Sequence, residues 1–169
     1  SAVCSRLAAV GANLAIASND AAALAAQRKA LASAKVVSAV VDATAEQEVA
    51  AFFNRAHAEL GSLDALLNLA GLSITGPVAE TPVASYDAII DVNLKATFLG
   101  TKHFIPCVDP VRGGLVVSIG SMAAKRPNPN APLYCVAKAA VNTFSQALAL
   151  QLKDKKIRVT TLNPGPIDT

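Results

Sequence analysis

A chain of 169 residues, 53% hydrophobic and 16% charged, can bury a sizeable core, which excludes a disordered segment and reads as one globular domain. Aromatic residues make up 4%, Trp is absent and alanine dominates the apolar count, which suits helices packed closely on a sheet better than an aromatic binding surface. The formal charge is +3, but the one dense basic run, Lys153, Lys155, Lys156 and Arg158, reads as a solvated helix end before a strand, and no nucleic-acid partner is expected.

Short β-branched runs alternate with long Ala/Leu-rich stretches of helical period, the pattern of βαβ units on a parallel sheet. The spacing predicts a helix over 2–10 ending at Gly11. A strand follows over 13–18, then a helix capped by Asp20 and reaching about Ala34. A second strand covers 36–41, and Thr44 with Gln47 fits a capping box for a helix that runs to Leu60 and stops at Gly61. A third strand is expected over 64–68, a long helix from Tyr86 to about Phe104, and a fourth strand over 115–119 after Gly113-Gly114. A proline-rich loop over 127–132, a helix from Leu133 to about Leu152 and a fifth strand over 157–162 complete the α/β pattern. Such strands belong in an open doubly wound sheet with right-handed crossovers, whose ligands sit beyond the strands' carboxyl ends.

Residues just after the strands therefore carry the functional reading. Tyr134 and Lys138 stand four apart on one predicted helix, so they share a face, and Ser121 follows the preceding strand. A free tyrosine titrates near 10, too high for a base at neutral pH, but an adjacent ammonium favours the phenolate and lowers that value. Ser121 is then placed to hold a substrate oxygen while Tyr134 gives or takes its proton. The spacing of Ser121, twelve residues, Tyr134, three residues and Lys138, within VVSIGS and YCVAKAAV, resembles the signature of the short-chain dehydrogenase/reductase family.

The companions of that triad follow in family order. Asn68-Leu69-Ala70-Gly71 is similar to the family's N-N-A-G motif, with Leu69 in place of the second Asn; the resemblance gives Asn68, Ala70 and Gly71 the tasks of holding the sheet and approaching the cofactor. Asn93, in DVNLKATFLGTK, matches a helical Asn that in the family orders a water of the proton relay from Lys138; read on its own, it is a polar residue at a local kink. Asp42, with Ala43, matches the adenine contact, and also reads as a helix cap. The segment from Asn163 to Thr169 is similar to the loop beside the nicotinamide, where Pro164, Gly165, Ile167 and Thr169 would meet the cofactor. Tyr134 and Lys138 would meet it too.

The resemblance implies a Rossmann-like domain over 1–169, apparently lacking its first strand and C-terminal lid, with a glycine-rich turn expected ahead of Ser1 and a substrate-covering segment beyond Thr169. Its activity would be NAD(P)(H)-dependent hydride transfer between nicotinamide and a small carbonyl or alcohol, of 3-oxoacyl-carrier-protein-reductase or general carbonyl-reductase type. An NAD-dependent polyol or hydroxysteroid dehydrogenase and a non-catalytic binding relative are the alternatives. Ser18-Asn19 carries neither the acidic residue that favours NAD nor the basic one that favours NADP; loss of the carboxylate tilts the choice to NADP(H) over NAD(H), with Asp20 read as a helix cap. Substrate-facing walls are expected over 73–81 and 125–133, with Ala123 beside Ser121. A homotetramer or homodimer built from the helices around Asn93 and Tyr134 is implied. Three cysteines without metal-like spacing and no long apolar run point to a cytoplasmic protein without membrane attachment. His57 and His103 are isolated, read as helix-surface residues, and no metal is expected.

Overall fold

The computed structural model describes residues 2–165, whose contacts divide into two compact units, one ending at Ser62 and the other starting at Leu63. In the first unit, helix α1 (Ala2–Ala9) stops where Gly11, at φ 84°, turns the chain and donates its N–H to Ala8 O at 2.9 Å. Strands β1 (Leu14–Ser18) and β2 (Val36–Val40) pair in parallel, Leu14 opposite Val36 and Ser18 opposite Val40, with α2 (Ala21–Ala30) as their crossover and α3 (Glu46–Leu60) following. Asp20 caps α2 as expected, its Oδ1 accepting the Ala23 N–H at 2.9 Å, though the helix ends four residues before Ala34. The capping box expected at Thr44 does not form. The Thr44 hydroxyl donates to Asp42 Oδ1 at 2.7 Å, so α3 starts behind Ala45 without a side-chain cap. Leu24, Val37, Val49, Phe53 and Ala56 fill this unit's core.

The second unit holds β3 (Ala65–Asn68), β4 (Gly114–Ile119) and β5 (Ile157–Leu162) in one parallel sheet of order β3-β4-β5. Asn68 lies opposite Ser118 and Ile119 opposite Leu162, so three carboxyl strand ends share one edge. The crossovers are α4 (Val83–Ile90), α5 (Ala96–Phe104) and α6 (Pro132–Gln151). The single helix expected from Tyr86 starts at Val83 and is broken over Asp91–Lys95 by a π turn. Asn93 Nδ2 donates to Ile89 O at 2.9 Å and Thr97 Oγ1 to Asn93 O at 2.8 Å, so side chains compete for carbonyls that a regular helix reserves for its own amides. Pro132, assigned to a loop by the sequence, is the first residue of α6, where its missing N–H removes no helical bond. Of the basic run, Lys153, Lys155 and Lys156 occupy the turn between α6 and β5 and Arg158 is the second residue of β5, all four exposed.

Ile89, Phe104, Val116, Ala137 and Val141 are fully enclosed in this unit. Replacing Phe104, which is 0% exposed, by Ala should cost about 3–5 kcal/mol through lost transfer energy and a residual cavity. Urea unfolding of the full-length protein measures it, and an unchanged midpoint would show that Phe104 is not part of a closed core.

Candidate active site

The site is built where β4 ends against α6. Lys138, 3% exposed on the inner face of α6, donates from Nζ to Ile119 O at 2.7 Å, which ties the last residue of β4 to that helix. Burial in this apolar setting holds the lysine's pKa below its ordinary value, because the charged form loses its hydration. One turn earlier, Tyr134 presents its ring to the same ammonium, with Nζ 5.7 Å from the ring centroid. Two residues beyond Ile119, Ser121 caps a short 3-10 turn, its Oγ accepting the Ala123 N–H at 3.1 Å. That turn packs on α6. Ser121, Tyr134 and Lys138, singled out together by the sequence, are thus held around one strand end.

Asn93 reaches the same place from the π turn. Its Nδ2 donates to Leu72 O at 2.8 Å as well as to Ile89 O, and its Oδ1 accepts the Leu72 N–H at 3.3 Å. The side chain therefore fixes the loop after β3 in addition to marking the kink. A Cβ on Gly71 would lie 3.3 Å from Asn93 Oδ1 and 3.5 Å from Lys138 Nζ, so the glycine leaves open a recess between those two polar groups. Asn68 Nδ2 faces Ser118 Oγ at 3.2 Å and Thr101 Oγ1 at 3.4 Å, stitching β3 to β4 and α5. Gly100 permits this, since a Cβ there would lie 2.7 Å from Asn68 Oδ1. Leu69 and Ala70 are exposed.

After β5, Pro164 O accepts the Met122 N–H at 3.0 Å, and Gly165 runs beside Met122. Ile167 and Thr169 lie outside the described residues. The segments expected to wall the substrate are joined by a bond from Gly76 N–H to Asn130 O at 2.9 Å. In the first unit, Ser18 Oγ accepts the Asp20 N–H at 3.1 Å, while Asp20 is spent on its helix cap and Asn19 is exposed. Asp42 Oδ1 accepts both the N–H and the hydroxyl of Thr44, locking a turn before α3 rather than capping that helix, with Ala43 half-buried inside it.

The sequence assigned no task to two asparagines that the structure brings to this edge. Asn163 Oδ1 accepts the Ser121 N–H at 3.0 Å. Asn142 Oδ1 is buried without a hydrogen-bond partner. Asn142 stands four residues after Lys138, the helical spacing that had linked Tyr134 to Lys138, and this was the available signal. His57 is an exposed helix residue as expected, whereas His103 is half-buried. Among the described residues no group of His, Cys, Asp and Glu is arranged to hold a metal, and no helix is long and apolar enough to cross a membrane.

Comparison with known proteins bears on the family and the fold. The family model for short chain dehydrogenases matches residues 1–169. An uncharacterized oxidoreductase of Staphylococcus saprophyticus is 32% identical over 136 residues, 80% of this chain and 58% of the relative. A probable oxidoreductase of Mycobacterium tuberculosis is 36% identical over 131 residues, 77% of this chain and 22% of that protein. The chain thus spans little more than half of the staphylococcal relative and a smaller part of the mycobacterial one. Among solved structures, a mutant short-chain dehydrogenase/reductase of Serratia marcescens superposes with a TM-score of 0.93 at 28% identity, over 99% of this chain and 69% of its own. A blue fluorescent protein from a metagenomic library, in complex with NADPH, gives 0.90 at 28% identity, over 97% and 68%.

The buried ammonium has a consequence for stability. Between the lowered folded value of Lys138 and the ordinary lysine value near 10.4, the unfolded chain binds more protons, so stability attributable to this residue rises with pH in that window and is least below it. Melting temperatures of wild type and Lys138→Met across alkaline pH should therefore diverge in favour of wild type as pH rises. A difference independent of pH would show that Lys138 is not desolvated.

Proposed function

This chain belongs to the short-chain dehydrogenase family, and on that premise we propose that it carries the catalytic core of an oxidoreductase moving hydride between NAD(P)(H) and a carbonyl or alcohol. The observation that carries the reading is the buried Lys138 ammonium, set against the Tyr134 ring and sharing the Gly71 recess with Asn93. An ammonium has three N–H donors. Ile119 O takes one, and the backbone at Gly71 passes close to the same ammonium without a side chain between, so the residues fit the hydroxyl-rich ribose of a nicotinamide nucleotide.

Lys138, Tyr134, Asn68, Ala70, Gly71, Pro164 and Gly165 would hold the nicotinamide half, and Ser18, Asn19, Asp42 and Ala43 the adenosine half. The bound nicotinamide supplies or accepts the hydride. In the reductive direction Ser121 donates its hydroxyl hydrogen to the substrate oxygen, and Tyr134 delivers a proton to that oxygen as negative charge develops there. The positive charge of Lys138 stabilises the phenolate left behind. Asn93 acts by position, fixing the loop that carries Gly71 and placing its Oδ1 beside the relay. The substrate class we favour is a 3-oxoacyl thioester or a simple ketone. NADP(H) is favoured over NAD(H), because Asp20 is committed to a helix cap and neither Ser18 nor Asn19 is a carboxylate. Exposed Phe98 on α5 and Val136 on α6 are apolar positions suited to a homo-oligomer built on these helices.

Reduced-nicotinamide fluorescence, titrated separately with NADPH and NADH on the full-length protein, should show binding with NADPH the tighter. Tyr134→Phe should keep that binding and lose about a hundred- to ten-thousand-fold in turnover of ketones. Failure of the full-length protein to bind either nucleotide would move the assignment to a non-catalytic relative of the fold.

A further inference from the structure

Around Gly120 the end of β4 is gripped from two sides. Gly120 donates its N–H to Leu162 O at 2.8 Å and Met122 donates to Pro164 O at 3.0 Å. Between them the Ser121 N–H has no backbone carbonyl; its acceptor is the side-chain Oδ1 of Asn163 at 3.0 Å. A Cβ on Gly120 would collide with that same oxygen and lie 2.7 Å from Asn142 Oδ1 and 2.9 Å from Thr161 Cγ2. The two amides therefore occupy the volume that a side chain at position 120 would take. Ser121 itself is fully extended, φ −164° and ψ 154°, and while its Oγ is held by the Ala123 N–H, its own N–H needs a partner to fix the backbone that carries it.

We propose that Asn163 is a positioning residue for Ser121: its side-chain oxygen anchors the Ser121 N–H between the two backbone bonds to the β5 segment, and so fixes the backbone from which the Ser121 hydroxyl is presented. Pro164 O is already used by Met122. An unpaired Ser121 amide, half-buried beside the substrate oxygen, would carry a desolvation cost and lose its direction. Asn142, one turn beyond Lys138 on α6, stands behind the asparagine. Both line a cavity of about 280 Å³ with Ser145 and Thr161. This assignment rests on the oxidoreductase reading for its effect on rate, but not for the hydrogen bond itself.

The test compares Asn163→Ala with Asn163→Asp, which keeps an oxygen at the same reach, in the full-length protein. With NADPH and a panel of ketones and acetoacetyl thioesters, Asn163→Ala should lower kcat about ten- to hundredfold with KM little changed, and Asn163→Asp should return most of the rate. In the Ser121→Ala background the alanine change should cost less than about twofold, because the group it positions is gone. Hydrogen exchange at the Ser121 amide should rise at least about tenfold in Asn163→Ala and stay slow in Asn163→Asp. Equal losses in both variants, an undiminished kcat in Asn163→Ala or unchanged amide exchange would each overturn the proposal. If the wild type turns over no carbonyl, the functional reading falls, and the exchange experiment alone decides whether Asn163 holds Ser121.

Discussion

The bond from Lys138 to the carbonyl of Ile119 is the constraint on which the rest of the site depends. An ammonium taken out of water is expensive unless it is hydrogen-bonded, and its cost grows with every apolar neighbour. A carbonyl at the carboxyl end of a parallel strand has lost its ladder partner and can supply the compensation. The same contact fixes the rotation of α6 about its axis, because a buried lysine cannot turn outward without giving up that carbonyl. Tyr134, one turn before, is thereby aimed, and Ser121, two residues beyond Ile119, is brought to the same helix face. A substitution that freed α6 to rotate would move all three groups together.

Around this bond the carboxyl edge is sewn by asparagines in addition to backbone bonds. Asn68 joins β3 to β4 and α5, Asn93 joins the loop after β3 to its own π turn, and Asn163 joins the loop after β5 to Ser121. An amide side chain is short, uncharged and able both to donate and to accept, so it can satisfy backbone groups that diverging chain segments leave unpaired. Glycines complete the arrangement. Gly71, Gly100 and Gly120 each stand where a Cβ would meet one of these asparagines. The edge is consequently polar yet closely packed, which suits the site proposed for Ser121, Tyr134 and Lys138.

Much of this was legible in the sequence because it rests on local rules. Helical spacing alone placed Tyr134 and Lys138 on one face, the loop after a strand offered Ser121, the resemblance to a family motif picked out Asn68, and the Asp20 cap formed as its position foretold. What escaped depends on competition between local partners or on distance along the chain. Thr44 has the residue type of a helix cap, but Asp42 is nearer to its hydroxyl. The hydrophobic period through 86–104 looks continuous, yet Asn93 and Thr97 divert carbonyls and widen one turn, and periodicity is blind to that. Asn163 and Ser121 lie 42 residues apart, and nothing short of the strand register reveals that they meet.

The hydrogen bonds described for Ser121, Lys138 and Asn93 are internal to the second unit, while Ser18 and Asp42 each hold a turn within the first. The groups assigned to chemistry and those assigned to the adenosine half therefore have separate physical supports. Ser18 and Asp20 settle each other within a three-residue turn, and no bond in that turn bears on the ammonium at Ile119. On the proposed reading, nucleotide preference can in consequence drift with the residues after β1 while Ser121, Tyr134 and Lys138 stay fixed. The residues after β4 and on α6 lack that freedom, since each is held by a neighbour that is itself part of the site.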